Sequence, residues 1–173
     1  AGVHVSLNRD VTLDHLAALR PDAVVFATGG SPQMPGIKGI QNPNVVTAED
    51  VLREAVNVGE NVVVIGGGMV GCETALCLAG RGKKVTVVEQ LDALVEKMGA
   101  TAGLRTLNLL NSHDVTQLTG AKCEEIRGNE LTVLLRGEQR QTIVADSFVL
   151  ALGYRPDATL HQEAEGKFPE VHI

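Results

Sequence analysis

The chain has 173 residues, of which 44% are hydrophobic and only 2% aromatic, with 19 glycines; that is enough apolar material for a sizeable core and excludes wholesale disorder. Fifteen Lys and Arg against 21 Asp and Glu leave a net charge of −6, which argues against a nucleic-acid partner, since that needs a basic stripe. No apolar run approaches the roughly 18 residues of a membrane-spanning helix, and Cys72, Cys77 and Cys123, none in a C-x-x-C pair, read as buried thiols of a reducing, cytoplasmic compartment.

The opening, Gly2-Val3-His4-Val5-Ser6-Leu7, reads as a strand rather than a signal peptide. It lacks a Met and has no preceding neighbour, and the last residues, Val171-His172-Ile173, are strand-like again. Both ends therefore read as cut edges of an excised fragment. Thr12 predicts the cap of a short helix through Arg20, with Leu13, Leu16 and Ala17 on one face. Asp22 to Ala27 is an apolar run of the kind a buried parallel strand needs, and it ends in Thr28-Gly29-Gly30. Residues 31 to 46, with Pro32, Pro35 and Pro43, predict an extended linker. Thr47-Ala48-Glu49-Asp50 resembles a capping box before a short helix.

The next stretch is the most regular. Asn61 to Ile65 predicts a strand, Gly66 to Gly71 a turn, and the small and apolar residues from Cys72 to Ala79 a helix that Gly80 and Gly82 end. Lys84 to Glu89 predicts a second strand. A helix over about Thr101 to Ser112, with Leu104, Leu107 and Leu110 at helical spacing, precedes a third parallel strand at Val115 to Leu118. The period then changes to two: Ala121 to Ile126, Leu131 to Leu135 and Gln141 to Val144, with turns at Gly128-Asn129 and Gly137-Glu138, predict a three-stranded antiparallel meander. Ser147 to Leu152 returns as a buried strand. The fold class is α/β, a Rossmann-like parallel sheet with an antiparallel three-stranded β-meander.

Gly66-x-Gly68-x-x-Gly71 stands in the context a dinucleotide turn requires: a strand before, a helix after and a second strand ending in an acid. Gly66 allows the tight turn, Gly68 lets backbone approach a pyrophosphate, and Gly71 lets the helix pack close to the strand. Gly67, Met69 and Val70 complete the loop, whose helix start offers N–H groups to phosphates. Glu89, 18 residues after Gly71, suits a ribose diol. Its carboxylate repels a 2′-phosphate, and no Arg lies between Glu89 and Glu96, so the reading favours NADH over NADPH. Lys83 and Lys84 enter the strand from its other end. Thr28-Gly29 and Leu152-Gly153 each close an apolar strand in a small-residue turn, where ligands of open α/β sheets sit. Two such turns with one glycine fingerprint point to two dinucleotide domains, one of them incomplete.

On these residues the chain resembles the pyridine-nucleotide domain of flavoproteins with two dinucleotide-binding domains. Gly2 to Asn8 through Val11-Thr12, Pro21 to Gly29, Asn44-Val45-Val46, Asp50-Val51-Leu52, Val64 to Gly68 with Gly71-Cys72-Glu73, Ala145-Asp146 and Ala151 to Pro156 narrow the likeness. They resemble the C-terminal part of the 2,4-dienoyl-CoA reductase, 2-enoate reductase and trimethylamine dehydrogenase group.

The resemblance implies that residues 1–33 are a remnant of an FAD domain and 34–58 a linker. It makes 59–152 the NAD(P)H domain and 153–173 a return segment toward the FAD domain. It further implies FAD, FMN and an iron–sulfur cluster in an intact parent, whose barrel and FAD domains are this chain's missing partners. That parent would carry electrons from NADH through flavin to an unsaturated, enoate- or enoyl-CoA-like substrate. In related reductases a Glu at the place of Glu73 lies near the nicotinamide; capping or an ion pair is the other reading of that residue. The alternatives are the NAD domain of a disulfide reductase or NADH oxidase, or a nucleotide-sensing module without catalysis. No catalytic residue is assigned, because hydride transfer needs positioning rather than an acid or base, and no metal ligand, because His4, His15, His113, His161 and His172 are scattered with no Cys/His cluster. The isolated chain is expected to be inactive, and either to self-associate through uncovered strand edges or to leave residues 1 to 33 disordered.

Overall fold

The computed structural model describes residues 2–96, 98–136 and 138–173. It divides into two compact units, Ala1–Ser31 with Tyr154–Ile173, and Pro32–Gly153. The first strand-like segment forms no strand: residues 2–7 are irregular, with Val3, Val5 and Leu7 75–79% exposed. A strand is held by a hydrogen-bonded neighbour, and among the described residues none pairs with this segment. Helix α1 (Leu13–Leu19) follows, its first turn closed by the His15 N–H donating to Thr12 Oγ1 at 3.3 Å. Strand β1 (Ala23–Val25) comes next, then β2 (Gly30–Pro32).

Of the stretch expected to be an extended linker, residues 45–47 instead form β3 (Val45–Thr47) of the larger unit, and the helix expected after the Thr47 capping box is α2 (Ala48–Leu52). Thr47 Oγ1 accepts from the Asp50 N–H, and Ala48 and Val51 are buried in the core; the prolines lie ahead of these residues and leave their ladder donors intact. The regular region follows as β4 (Asn61–Ile65), α3 (Met69–Gly80), β5 (Lys84–Val88), α4 (Ala100–Ser112) and β6 (Thr116–Leu118). Helix α3 begins three residues earlier than the sequence implies, so Gly71 belongs to its first turn. The meander is β7 (Ala121–Arg127), β8 (Glu130–Leu135) and β9 (Arg140–Val144), and β10 (Ser147–Leu150) returns to the sheet. Gly137 of the expected second meander turn lies outside the described residues.

The parallel sheet runs β3-β10-β4-β5-β6. After their polar first residues, Asn61 and Ser147, strands β4 and β10 are apolar throughout because both faces of the sheet are covered. Val62 and Val64 point to the helical side, with Cys72, Ala75, Leu78 and Leu110. Val63 and Ile65 point to the other, with Leu131, Val133 and Phe148. Each buried Val, Leu, Ile or Phe among them contributes about 1.5–3 kcal/mol. Leu107 and Leu110 of α4 turn inward beside Gly103, whereas Leu104 is 61% exposed, so the buried stripe is one position out of the expected register.

The smaller unit closes with β11 (Tyr154–Pro156), α5 (Thr159–Ala164) and β12 (Glu170–His172). Strand β12 runs parallel to β1, and β11 pairs with β2. Val24, Phe26 and Ala164 form its core, with the Phe26 ring edge-on to His161 at 5.8 Å. Val25 is 71% exposed, so the run expected to be buried on both faces is covered on one: among the described residues no element packs on the second face of this two-stranded ribbon.

Candidate dinucleotide-binding site

The carboxyl ends of β10, β4 and β5 meet at one edge of the sheet. The Ala151 N–H donates to Ile65 O, and the Gly66 N–H donates to Val88 O, both at 2.8 Å. The chain then turns sharply through Gly66, whose φ of 110° is left-handed and whose Cβ, were it present, would lie 2.5 Å from Ala151 O. A Cβ on Gly71 would come within 1.9 Å of Gly66 O, so the first turn of α3 is seated directly on the end of β4. At Gly67 it would meet Leu94 Cδ2 at 2.2 Å. Gly68 is different: nothing lies within 4 Å of the place its Cβ would take. It is the N-cap of α3 and provides no side-chain cap, so the first N–H groups of the helix, on Met69, Val70 and Gly71, have no partner within the helix.

Glu89 is half-buried and does not point idly to solvent. Its Oε2 accepts from the Gly67 N–H at 2.7 Å and its Oε1 from the Leu91 N–H at 2.8 Å. The acid thus joins the glycine turn to the loop after β5, leaving further lone pairs on both oxygens. That loop is marked in the sequence only by its lack of Arg, not as a strap. It straps back over the turn: the Val95 N–H donates to Gly67 O at 2.8 Å, and Leu94 and Val95 are buried. Val95 holds φ at 51°, a conformation β-branched residues rarely adopt. Only the adjacent apolar pair Leu94-Val95 could have signalled the strap. Beneath the turn, the Cys72 thiol donates to Gly67 O at 3.5 Å. Burial, and then the charges of Glu89 and Glu73, push its pKa up to about 11, while burial and Glu89 push Cys123 to about 12.

Leu152 is brought to the turn, its Cδ2 3.3 Å from the Cβ position of Gly66, and Gly153 follows with φ of 89°. Glu73 is exposed, lies outside the first helical turn and makes no hydrogen bond or ion pair with another described residue; neither capping nor an ion pair occupies it. Met69 and Val70 flank Gly68 at the start of α3, with Met69 53% exposed. Lys83 pairs with Glu60 at 2.8 Å at the opposite end of β5 from Glu89. Thr28 and Gly29 belong to the smaller unit. There Thr28 Oγ1 donates to Asp157 O at 2.6 Å and the Asp157 N–H to Gly29 O at 2.9 Å.

The open Gly68, the uncapped helix start and the acid at the end of the second strand fit a dinucleotide's pyrophosphate and ribose, as in parallel α/β nucleotide-binding folds. A sequence model of the pyridine nucleotide-disulphide oxidoreductase family matches residues 2–170, and the chain belongs to this family of enzymes. It is 34% identical over 175 residues to a cinnamate reductase of Clostridium sporogenes, covering 99% of this chain and 26% of that protein. It is 38% identical over 178 residues to an NADH oxidase of Thermoanaerobacter brockii, covering 100% of this chain and 27% of that protein. The solved structure of 2-naphthoyl-CoA reductase with 2-naphthoyl-CoA superposes with a TM-score of 0.85 at 33% identity, over 99% of this chain and 26% of that one. The chain thus spans about a quarter of the length of these relatives. Among the described residues no helix is long and apolar enough to cross a membrane.

Proposed function

We propose that this chain is the NADH-binding part of a flavin-dependent oxidoreductase that reduces an unsaturated, enoate- or enoyl-CoA-like substrate. The observation that carries the nucleotide assignment is the contrast between Gly68, open at the uncapped start of α3, and the tightly seated Gly66, Gly67 and Gly71. On this reading the Gly68–Gly71 N–H groups receive the pyrophosphate, and Glu89, fixed by Gly67 and Leu91, receives the ribose diol. Exposed Glu73, Leu152 and Gly153 flank the same turn on the nicotinamide side. Thr28 and Gly29 contribute to the flavin place in the smaller unit. Bound flavin, FAD with FMN beyond it, would supply hydride acceptance and onward electron transfer; the protein supplies position. The similarity to a cinnamate reductase and to 2-naphthoyl-CoA reductase supports an unsaturated acid or thioester as substrate class. The similarity to an NADH oxidase supports the alternative in which dioxygen takes the electrons.

Titration with both nucleotides tests the assignment of Glu89. NADH is expected to bind more tightly than NADPH, because a carboxylate repels a 2′-phosphate. Glu89→Arg is expected to change that ratio by on the order of tenfold or more in favour of NADPH. Tighter binding of NADPH by the unaltered chain would refute the role given to Glu89.

A further inference from the structure

The loop that Glu89 holds carries an ion pair, contributed in part from the meander. The guanidinium of Arg136, just after β8, pairs with the carboxylate of Asp92. The stem of Arg136 lies over Gly120, its Cγ and Cδ 3.4 Å from where a Cβ would stand, and Gly120 holds φ at 62°. The Gly120 N–H donates to Leu91 O at 2.7 Å, and the Leu91 N–H donates to Glu89 Oε1 at 2.8 Å. A continuous chain of contacts therefore runs from the ribose-binding acid to Arg136, from residues far apart in sequence. Both partners of the ion pair are more than half exposed, so it contributes little to stability, and either member can turn toward a ligand at this edge.

We propose that Arg136 is a latent 2′-phosphate-binding residue which Asp92 neutralises, so that the pair, together with Glu89, sets the preference for the unphosphorylated nucleotide. This rests on the reading of the Gly66–Gly71 turn as the nucleotide site. The carboxylate of Asp92 occupies the cation that would otherwise receive the 2′-phosphate. Selectivity then arises from an occupied cation as well as from the repelling acid.

Titration of the 173-residue chain with NADH and NADPH tests this, with 2′,5′-ADP and 5′-AMP as probes of the adenosine end alone. Asp92→Asn is expected to raise NADPH and 2′,5′-ADP affinity by about tenfold, to leave NADH and 5′-AMP within about twofold, and to lose much of the gain at high salt. The double variant Asp92→Asn with Arg136→Gln is expected to return to the parental ratio. An unchanged ratio in Asp92→Asn, or a gain that persists in the double variant, overturns the proposal. Absence of saturable binding of NADH by the unaltered, folded chain overturns the site assignment itself, a result distinct from an unaltered preference.

Discussion

At the scale of single residues, the four glycines of the turn are not equivalent, and the difference is steric. Gly71 lies against Gly66 O, and a methyl group at the 1.9 Å that its Cβ would occupy must push the first turn of α3 off the sheet. Gly71→Ala is therefore expected to destabilise the protein by about 1–3 kcal/mol, the cost of overpacking a tight contact. Gly68 has ordinary negative φ and open space. Gly68→Ala is expected to unfold at the same denaturant midpoint as the parent while weakening NADH binding, because its methyl group would project where backbone is meant to meet phosphate. Chemical denaturation alongside nucleotide titration separates the two effects. Equal loss of stability in both variants would show that the open side of Gly68 is not real.

At the scale of elements, the two central strands are stapled at their starts. Asp146, one residue before β10, accepts from the Asn61 N–H at 2.7 Å and from Asn61 Nδ2 at 3.1 Å through one oxygen. Its own N–H donates to Asn61 O at 2.8 Å, and the Ser147 hydroxyl accepts from the Gly59 N–H. The Asn61 backbone N–H, first among several donors, holds the Asp146 pKa below its ordinary 3.8. A depressed carboxylate stabilises the fold above that ordinary value and loses its contribution as pH falls through the folded value. Asp146→Asn is thus expected to lower the melting midpoint by a few degrees at pH 7, with the gap to the parent closing below pH 3.8. A gap independent of pH would mean that the amide fails for reasons of shape rather than charge. The first segment makes the opposite point: residues 2–7 have strand-like sequence but no ladder, and form no strand.

At the scale of the molecule, the glycine turn, Glu89, the strap and Arg136 all lie in Pro32–Gly153, which has its own core on both faces of its sheet. That unit expressed alone is expected to fold cooperatively and bind NADH within a few-fold of the whole chain. Calorimetric titration of 32–153 checks it; a folded unit that fails to bind would place part of the site in the other unit. Apolar side chains exposed in the first segment, Val3, Val5 and Leu7, leave the smaller unit as the place where self-association would begin.

Much of this protein was legible from local pattern. The βαβ unit, the meander, the caps at Thr12 and Thr47 and the fingerprint glycines are set by interactions within a few residues, and hydrophobic period reports them directly. Glu89 could be named from its spacing, because the turn and the second strand fix where that residue falls. The tertiary structure alone decided the rest. Only assembly shows that β3 joins the sheet, that Leu104 faces out while Leu107 faces in, and that Glu89 spends both oxygens on the turn and the loop. The pairing of Asp92 with Arg136 joins the loop after β5 to a residue inside the meander, just after β8. No periodicity encodes such a contact, because it is created when the antiparallel strands fold back over the end of a parallel sheet.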